Sequence, residues 1–264
     1  AKLGASVAMV ACVGGDPDGD LTTQNFKTMG INTTHVTSIT SSYTGIANIL
    51  VNEKGANTIV IAAGANQKLT TNHVDKAWDT IKGCKIFIFQ LETPLKTSIY
   101  AMQRIKKDIK SAIIIFNPAP AVSDLPFDIL ECVDIFAPNE TEAELIVKSK
   151  ITSVKEAEAA ALRIRNMGYK NNTIITLGAK GCLVLDKSKD KGVHIPATDL
   201  KDKVQDTTGA GDSFIGSLAY FLNTGLDLAS ACKRAGRVAS QSVMNKGTQS
   251  SFPFAKDLPK DLLA

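Results

Sequence analysis

The sequence predicts an α/β protein with a doubly wound, mostly parallel sheet flanked by helices and a small β lid. Apolar runs typical of strands alternate with helical patterns along most of the 264 residues. The runs are almost continuously apolar, as in strands that helices cover on both faces. One region, approximately residues 36–62, instead contains two strand-like runs with no helix between them. We therefore expect a single domain over residues 1–264 into which a hairpin is inserted.

The predicted strands and helices follow one another along the chain. Five runs are expected to be strands of the sheet: SVAMVACV at 6–13, KIFIFQL at 85–91, AIIIF at 112–116, DIFAP at 134–138 and NTIITLG at 172–178. Helices are expected near Asp20 to Met29, within Lys96 to Ile109, from Thr141, over Val154 to Met167, over Ser213 to Leu222 and over Leu228 to Met244. Helices between strands are typical of parallel crossovers.

The inserted hairpin consists of TGIANILVN at 44–52 and NTIVIAA at 57–63, joined by EKGA at 53–56. A two-stranded hairpin by itself is at best marginally stable in water. We therefore expect the segment from Val36 to Ala62 to form a lid that needs covering, which predicts a homodimer through the lid.

Composition limits the partners and the compartment. The 30 basic and 26 acidic residues give a net charge of +4 without a basic block, so no nucleic-acid partner is expected. The excess either steers an anionic ligand or is ordinary solubilising surface. The five cysteines are odd in number and mostly lie in apolar runs, as in free thiols of a reducing compartment. No signal peptide or run of membrane-spanning length is recognised, so we expect a cytoplasmic protein, also compatible with the nucleus, without a membrane partner.

The segment DTTGAGDSF, residues 206–214, is the first candidate for chemistry. Gly209, Ala210 and Gly211 expose N–H groups where a helix begins, and the helix dipole favours an anion there. Asp212 in the first turn would lie beside that anion and accept a proton from an attacking hydroxyl, which suits phosphoryl transfer. The alternative is that Asp212 only caps the helix and that the glycines serve a tight turn.

Other candidate segments also follow predicted strands, at the sheet edge where open α/β proteins bind ligands. TLGAKG at 176–181 either covers nucleotide phosphates, with Lys180 as a counter-charge, or is a plain hairpin turn. The acids of PNETEAE at 138–144 either favour the helix dipole or, through Glu142 three residues after Asn139, order water around a divalent ion. GGDPDGD at 14–20 predicts a turn and helix cap, and no Walker or protein-kinase signature occurs.

Together these segments resemble the ribokinase-like, or PfkB-type, carbohydrate kinase family. The segments that carry the resemblance keep the family's order: AGAN at 63–66, QLETP at 90–94, FNPAPA at 116–121, PNETEAE at 138–144, TLGAKG at 176–181, DTTGAGDSF at 206–214 and GTQSSFPF at 247–254. The resemblance implies ATP-dependent phosphorylation of D-ribose at its 5-hydroxyl. Adenosine kinase or fructokinase activity is the alternative within the family, and a non-catalytic nucleotide-binding fragment is the alternative outside enzymes.

The resemblance also implies roles for individual residues. Asp212 would be the catalytic base, Glu92 would approach the ribose, and Gly209, Ala210 and Gly211 would form the anion hole. ATP would contact Asn139, Thr176, Leu177, Gly178, Ala179, Lys180, Gly181, Gly211, Asp212 and Gly236. Glu142 would belong to the outer shell of a Mg²⁺ ion. A K⁺ ion would bind at Asp206, Thr208, Ser242, Asn245, Gly247 and Ser251.

This chain departs from the family pattern in two ways. The family often carries Asn or His where Gly236 stands, which implies a missing nucleotide contact. The chain also begins after the place of the family's N-terminal strand, with its Asn-x-Asp ribose contact, and of a Gly-Gly-Lys-Gly-Ala-Asn-Gln segment. The resemblance therefore implies an N-terminally incomplete kinase domain that lacks part of the ribose site and of the lid.

Overall fold

The structure is a computed structural model that describes residues 1–51, 57–122 and 125–263. The predicted turn EKGA lies outside these residues. Ten strands are described: β1 (Ala8–Gly14), β2 (Asn32–Ile39), β3 (Ile46–Val51), β4 (Asn57–Ala62), β5 (Ile86–Phe89), β6 (Ile113–Phe116), β7 (Ile135–Phe136), β8 (Asn172–Thr176), β9 (Cys182–Leu185) and β10 (Val193–Ile195). The described helices are α1 (Pro17–Thr28), α2 (Thr71–Lys76), α3 (Trp78–Ile81), α4 (Leu95–Asp108), α5 (Glu140–Val147), α6 (Val154–Asn166), α7 (Ala210–Asn223), α8 (Leu228–Ser242) and α9 (Lys260–Leu263).

The chain divides into two compact units, and the expectation of one domain stays a prediction. The first unit contains Ser6–Cys84 and Leu91–Ile109, together with Ala1. The second contains Lys2–Ala5, Lys85–Gln90 and Lys110–Ala264.

In the first unit, β1 pairs in parallel with β2, and β3 pairs antiparallel with β4 in the predicted hairpin. The sequence did not predict β2, whose residues NTTHVTSI are mostly polar. The predicted lid began at Val36, but Val36 belongs to β2, and the hairpin begins at Ile46. α1 begins at the predicted cap in GGDPDGD, where the Asp16 carboxylate accepts a hydrogen bond from the Gly19 N–H at 2.8 Å. The same carboxylate accepts from the Thr44 N–H at 2.7 Å, which connects this turn to the start of the hairpin.

The second unit contains a six-stranded sheet in the order β10-β9-β8-β7-β6-β5. The four strands β5 to β8 are parallel, and β9 is antiparallel to both of its neighbours, β8 and β10. This sheet, flanked by helices, confirms the predicted α/β, mostly parallel fold. The described part of the chain pairs β1 with β2 in a separate sheet, whereas the alternation of strands and helices had suggested one sheet.

Amphipathic helices cover the sheet of the second unit. Ser153 caps α6, because its hydroxyl accepts from the Glu156 N–H in a capping box, and the helix buries Ala157, Ala160, Ala161 and Ile164 at helical spacing. α7 and α8 bury apolar faces in one core with β6 to β10. This packing fixes the N-terminus of α7, where the candidate site begins.

All five cysteines are free thiols: Cys12, Cys182 and Cys232 are buried, and Cys84 and Cys132 are half-buried. Among the residues described, no helix combines the length and apolar character that a membrane span requires.

Candidate active site

A concave pocket of about 140 Å³ lies in the second unit, where the parallel strands end and α7 begins. Asn117 follows β6, Asn139 follows β7 and Thr176 ends β8, so the carboxyl ends of three strands contribute to it. The pocket is lined by Asn117, Ala119, Ala137, Asn139, Glu142, Thr176, Gly209, Gly211, Asp212 and Ile215. The structure thus brings together residues from four of the segments that the sequence had singled out.

The turn before α7 has the geometry of an anion site. Gly209 is the N-cap with φ +78°, a left-handed conformation that favours glycine, and a Cβ there would lie 3.1 Å from the Phe252 ring. The Ala210 N–H donates to the Thr207 carbonyl at 3.2 Å, so it is turned away from a ligand. The N–H groups of Gly211 and Asp212 have no hydrogen-bond acceptor in the described residues, and they are the open donors of this helix end.

The Asp212 side chain does not cap α7. The helix has no side-chain cap, and the described part of the chain provides no hydrogen-bond donor to the Asp212 carboxylate. The carboxylate is open to solvent, yet the surrounding protein atoms reduce its hydration enough to raise its pKa above the ordinary value for aspartate. Of the two alternatives for Asp212, capping is therefore absent, and a carboxylate with free lone pairs remains in the pocket.

Glu142 forms a reciprocal capping box with Asn139 at the start of α5. Glu142 Oε2 accepts from the Asn139 N–H at 2.8 Å and Oε1 from Asn139 Nδ2 at 2.9 Å, while the Glu142 N–H donates to Asn139 Oδ1 at 2.9 Å. Glu142 is buried, and this burial raises its pKa, with a further increase from the charge of Asp212. Two interacting carboxylates in one pocket, with amide and carbonyl oxygens nearby, fit a hard cation such as Mg²⁺.

Asn117 is a pocket residue that sequence reasoning missed. Its Nδ2 donates to the Ala137 carbonyl at 2.9 Å and is 3.4 Å from Glu142 Oε2. The amide thereby connects the ends of β6 and β7 to the carboxylate of α5. Asn117 lies in FNPAPA, a segment that carried the family resemblance. The signal that could have identified Asn117 is its place as a polar residue directly after the buried strand β6.

The segment TLGAKG forms the connection between the antiparallel strands β8 and β9. Gly178–Lys180 is a single 3-10 turn, and Gly181 takes φ +94°. The Lys180 ammonium donates to the Thr152 carbonyl at 2.6 Å. Thr176 lines the pocket, Leu177 is buried, and Gly178 and Ala179 are exposed. The turn is thus a hairpin connection, and its contact with ATP stays a prediction.

Of the residues predicted to bind a monovalent cation, Thr208 and Gly247 contact Asp206. Asp206 Oδ1 accepts from the Thr208 N–H and Oδ2 from the Gly247 N–H, both at 2.9 Å. Hydrogen bonds from Thr208, and then from Gly247, lower the pKa of Asp206. Ser251 is buried, and its hydroxyl donates to the Thr248 carbonyl at 2.7 Å. Ser242 is buried at the end of α8, and Asn245 is exposed three residues later.

Two of the residues that the sequence predicted for the site, Glu92 and Gly236, do not line this pocket. Glu92 is exposed and belongs to the first unit, where its carbonyl accepts from Gln67 Nε2 at 3.3 Å. Gly236 lies in α8, and a Cβ built there meets no atom within 4 Å.

These features define the class of the protein. The pocket lies at the end of a mostly parallel sheet, and it combines open N–H donors at a helix N-terminus with a carboxylate that is free to accept a proton. An enzyme that transfers an anionic group to a hydroxyl needs these parts. Residues 1–255 match the family model described as pfkB family carbohydrate kinase. The chain therefore belongs to the pfkB family of carbohydrate kinases, which confirms the resemblance.

Similar proteins support this assignment. The chain is 39% identical to a ribokinase from Mus musculus over 262 residues, which cover 98% of this chain and 79% of the mouse protein. It is 38% identical to a deoxyribokinase from Salmonella typhi over 253 residues, 96% of this chain and 80% of that protein. A crystal structure of Arabidopsis thaliana ribokinase complexed with ribose and ATP has a TM-score of 0.87 at 25% identity, covering 99% of this chain and 83% of that one.

Proposed function

We propose that this protein transfers the γ-phosphoryl group of ATP to the 5-hydroxyl of D-ribose and so forms ribose 5-phosphate and ADP. The observation that carries the proposal is Asp212, a carboxylate without a capping bond beside the open N–H groups of α7. The mouse and Arabidopsis relatives named ribokinase support the sugar, and the complex with ribose and ATP supports both substrates.

The proposed reaction uses the pocket as follows. The ribose hydroxyl oxygen attacks the γ-phosphorus, the bond to the β–γ bridging oxygen breaks, and ADP leaves. Asp212 accepts the hydroxyl proton, while the N–H groups of Gly211 and Asp212 stabilise the transferred phosphoryl oxygens. A Mg²⁺ ion, held through water by Glu142, would neutralise phosphate charge. Asn117 and Asn139 hold the Glu142 carboxylate in place.

A second sugar has specific support. The deoxyribokinase from Salmonella typhi and the mouse ribokinase are almost equally similar to this chain, at 38% and 39% identity. The two substrates differ in one hydroxyl, and a site built to bind that hydroxyl discriminates strongly against its absence.

The test is ADP formation from ATP and Mg²⁺ with D-ribose, 2-deoxy-D-ribose, D-fructose or adenosine, with Asp212→Asn as the control. Ribose-dependent turnover that the control lacks supports the proposal. A higher kcat/KM for 2-deoxyribose would assign the chain as a deoxyribokinase. No sugar-dependent turnover, with ATP still bound in a calorimetric titration, would leave a nucleotide-binding protein.

We also propose that a K⁺ ion at Asp206 activates the enzyme. The support is the Asp206 carboxylate, whose pKa is lowered, together with its contacts to two other predicted ligands, Thr208 and Gly247. KCl should raise both the turnover and the melting temperature of the wild type relative to choline chloride. If Asp206→Ala responds to K⁺ as the wild type does, the ion binds elsewhere.

For assembly, we propose a homodimer through the β3–β4 hairpin. Exposed apolar side chains support it: Tyr43 is 81% exposed, Val60 56% and Ile61 48%. Light scattering at micromolar concentration should give twice the chain mass for the wild type and the mass of one chain for Val60→Glu. A monomeric wild type would contradict the proposal. A cytoplasmic or nuclear location is also proposed, and cell fractionation would test it.

A further inference from the structure

The loop of residues 247–252 packs against the anion-binding turn. A Cβ on Gly209 would lie 3.1 Å from Cε1 of the Phe252 ring and 3.4 Å from Cα of Thr248. At its other end, the loop donates the Gly247 N–H to Asp206. Its position therefore influences the backbone on both sides of the DTTGAGD segment.

Lys2 anchors this loop from the other end of the sequence. Its ammonium donates to the Gln249 carbonyl at 2.6 Å and to the Phe252 carbonyl at 2.9 Å, and lies 4.8 Å from the centroid of the Phe254 ring. The Lys2 carbonyl also accepts from the Ala255 N–H at 2.9 Å. Lys2 is half-buried, where charge-assisted hydrogen bonds are stronger than in open solvent.

The loop's own hydrogen bonds are local. The N–H and the hydroxyl of Ser251 both donate to the Thr248 carbonyl, three residues earlier. Such a turn keeps its shape but does not determine where it lies on the protein. The hydrogen bonds with Asp206 and Lys2 connect the loop to distant parts of the chain and so contribute to that position.

We propose that Lys2 is a positioning residue of the phosphoryl site: its ammonium holds the carbonyls of Gln249 and Phe252 and thereby keeps the Phe252 ring against Gly209. The backbone at Gly209 directs the N–H groups of Gly211 and Asp212, so a displaced ring changes the donors that meet the phosphoryl group. Only the effect on turnover rests on the proposed function, because the anchoring of the loop is measurable without catalysis.

Hydrogen exchange in the 264-residue protein tests the anchoring. Lys2→Met keeps the length of the side chain but removes the ammonium, and the amide of Gly247, whose hydrogen bond to Asp206 depends on where the loop lies, should exchange about tenfold faster. Lys2→Arg should restore slow exchange, because a guanidinium can still donate to both carbonyls. The matched control is Lys256→Met: the Lys256 ammonium lies 5.7 Å from the centroid of the same Phe254 ring, and its removal should leave exchange at Gly247 unchanged.

Turnover tests the consequence for the site. We expect kcat of Lys2→Met to fall about tenfold, with KM for ribose within twofold of the wild type, since the donors act on the transferring group. Phe252→Leu removes the ring and leaves the Lys2 contacts, so it should lower kcat without faster exchange at Gly247. It also serves as the second variant if Lys2→Met does not fold.

Either of two results overturns the proposal: exchange in Lys2→Met as slow as in the wild type, or faster exchange with unchanged kcat in both Lys2→Met and Phe252→Leu. If the wild type itself has no turnover, the proposed function fails, and the exchange measurement alone decides whether Lys2 anchors the loop.

Discussion

Two acids at the N-termini of successive helices should respond in opposite ways to removal. Asp227 caps α8, because its Oδ1 accepts from the Ala229 N–H at 3.0 Å and from the Ser230 N–H at 3.1 Å. Asp212 has no such bond in α7. We predict that Asp227→Ala lowers stability and keeps turnover, and that Asp212→Ala keeps stability and loses turnover.

The magnitudes follow from these contacts. Loss of an N-cap costs about 0.5–2 kcal/mol of the free energy of unfolding, which in a protein of this size lowers Tm by about 2–4 °C per kcal/mol. Loss of a general base lowers kcat by about 10²–10⁴. Asp227→Ala should show only the first effect, and Asp212→Ala only the second.

The pH dependence distinguishes the two acids further. Reduced hydration raises the folded-state pKa of Asp212, so the folded state binds the proton more tightly than the unfolded state. Stability is then lost as pH rises from the ordinary aspartate pKa of about 3.9 through the raised value. At pH 7 the ionised Asp212 carries the full cost of its reduced hydration in the wild type. Asp212→Asn should therefore be at least as stable as the wild type. That advantage should disappear below about pH 3.9.

Urea unfolding at several pH values, together with ADP formation at pH 7, measures both quantities in the same preparations. Asp212→Asn serves as the isosteric variant, and circular dichroism verifies that each protein is folded. The reasoning is refuted if Asp212→Ala loses as much stability as Asp227→Ala, since Asp212 would then be a cap. It is equally refuted if Asp212→Asn retains more than a tenth of the wild-type kcat.

Three further predictions concern single side chains. Gly209→Ala should cost about 1–3 kcal/mol of stability and lower kcat. Gly225 also has a positive φ, +91°, but open space around it, so Gly225→Ala should lower the free energy of unfolding by less than Gly209→Ala does. If urea unfolding gives equal losses for the two variants, the Phe252 contact has no role. Gly236→Asn should fit the open space on α8 and add a few tenths of a kcal/mol to the free energy of unfolding through helix propensity. It should also lower KM for ATP, and a higher KM would argue against a nucleotide contact there. Asn117→Leu should raise the Mg²⁺ concentration for half-maximal turnover and cost about 1–3 kcal/mol, because the Ala137 carbonyl loses its donor. An unchanged Mg²⁺ titration would separate Asn117 from the metal site.

Much of the fold and of the site was predictable because its signals are local. The runs that became β5, β6 and β7 are continuously apolar, β8 has an apolar centre, and the helices between these strands show the spacing of one buried face. Helix caps are also local, so the turn at Asp16 was predicted correctly. Residues that follow parallel strands share one sheet edge, which led to Asn139 and Glu142, whereas Asp212 was found from the glycine-rich start of a helix and from the family resemblance; the pocket contains all three.

Other features depend on contacts between distant parts of the chain. β2 was missed because its polar residues lack strand periodicity, and its pairing with β1 defines it as a strand. The role of Asp212 was ambiguous because acids are favourable in any first turn; the structure decided it by making Gly209 the N-cap.

By itself, the sequence determined the fold class, most strands and helices, and the segments that form the pocket, because periodicity and turn chemistry act over a few residues. Only the tertiary structure decided which side chains hold the pocket in shape. Asn117 reaches Glu142 across 25 residues, and Lys2 reaches Phe252 across 250. No local pattern encodes such contacts, because they exist only once the sheet and its helices have packed.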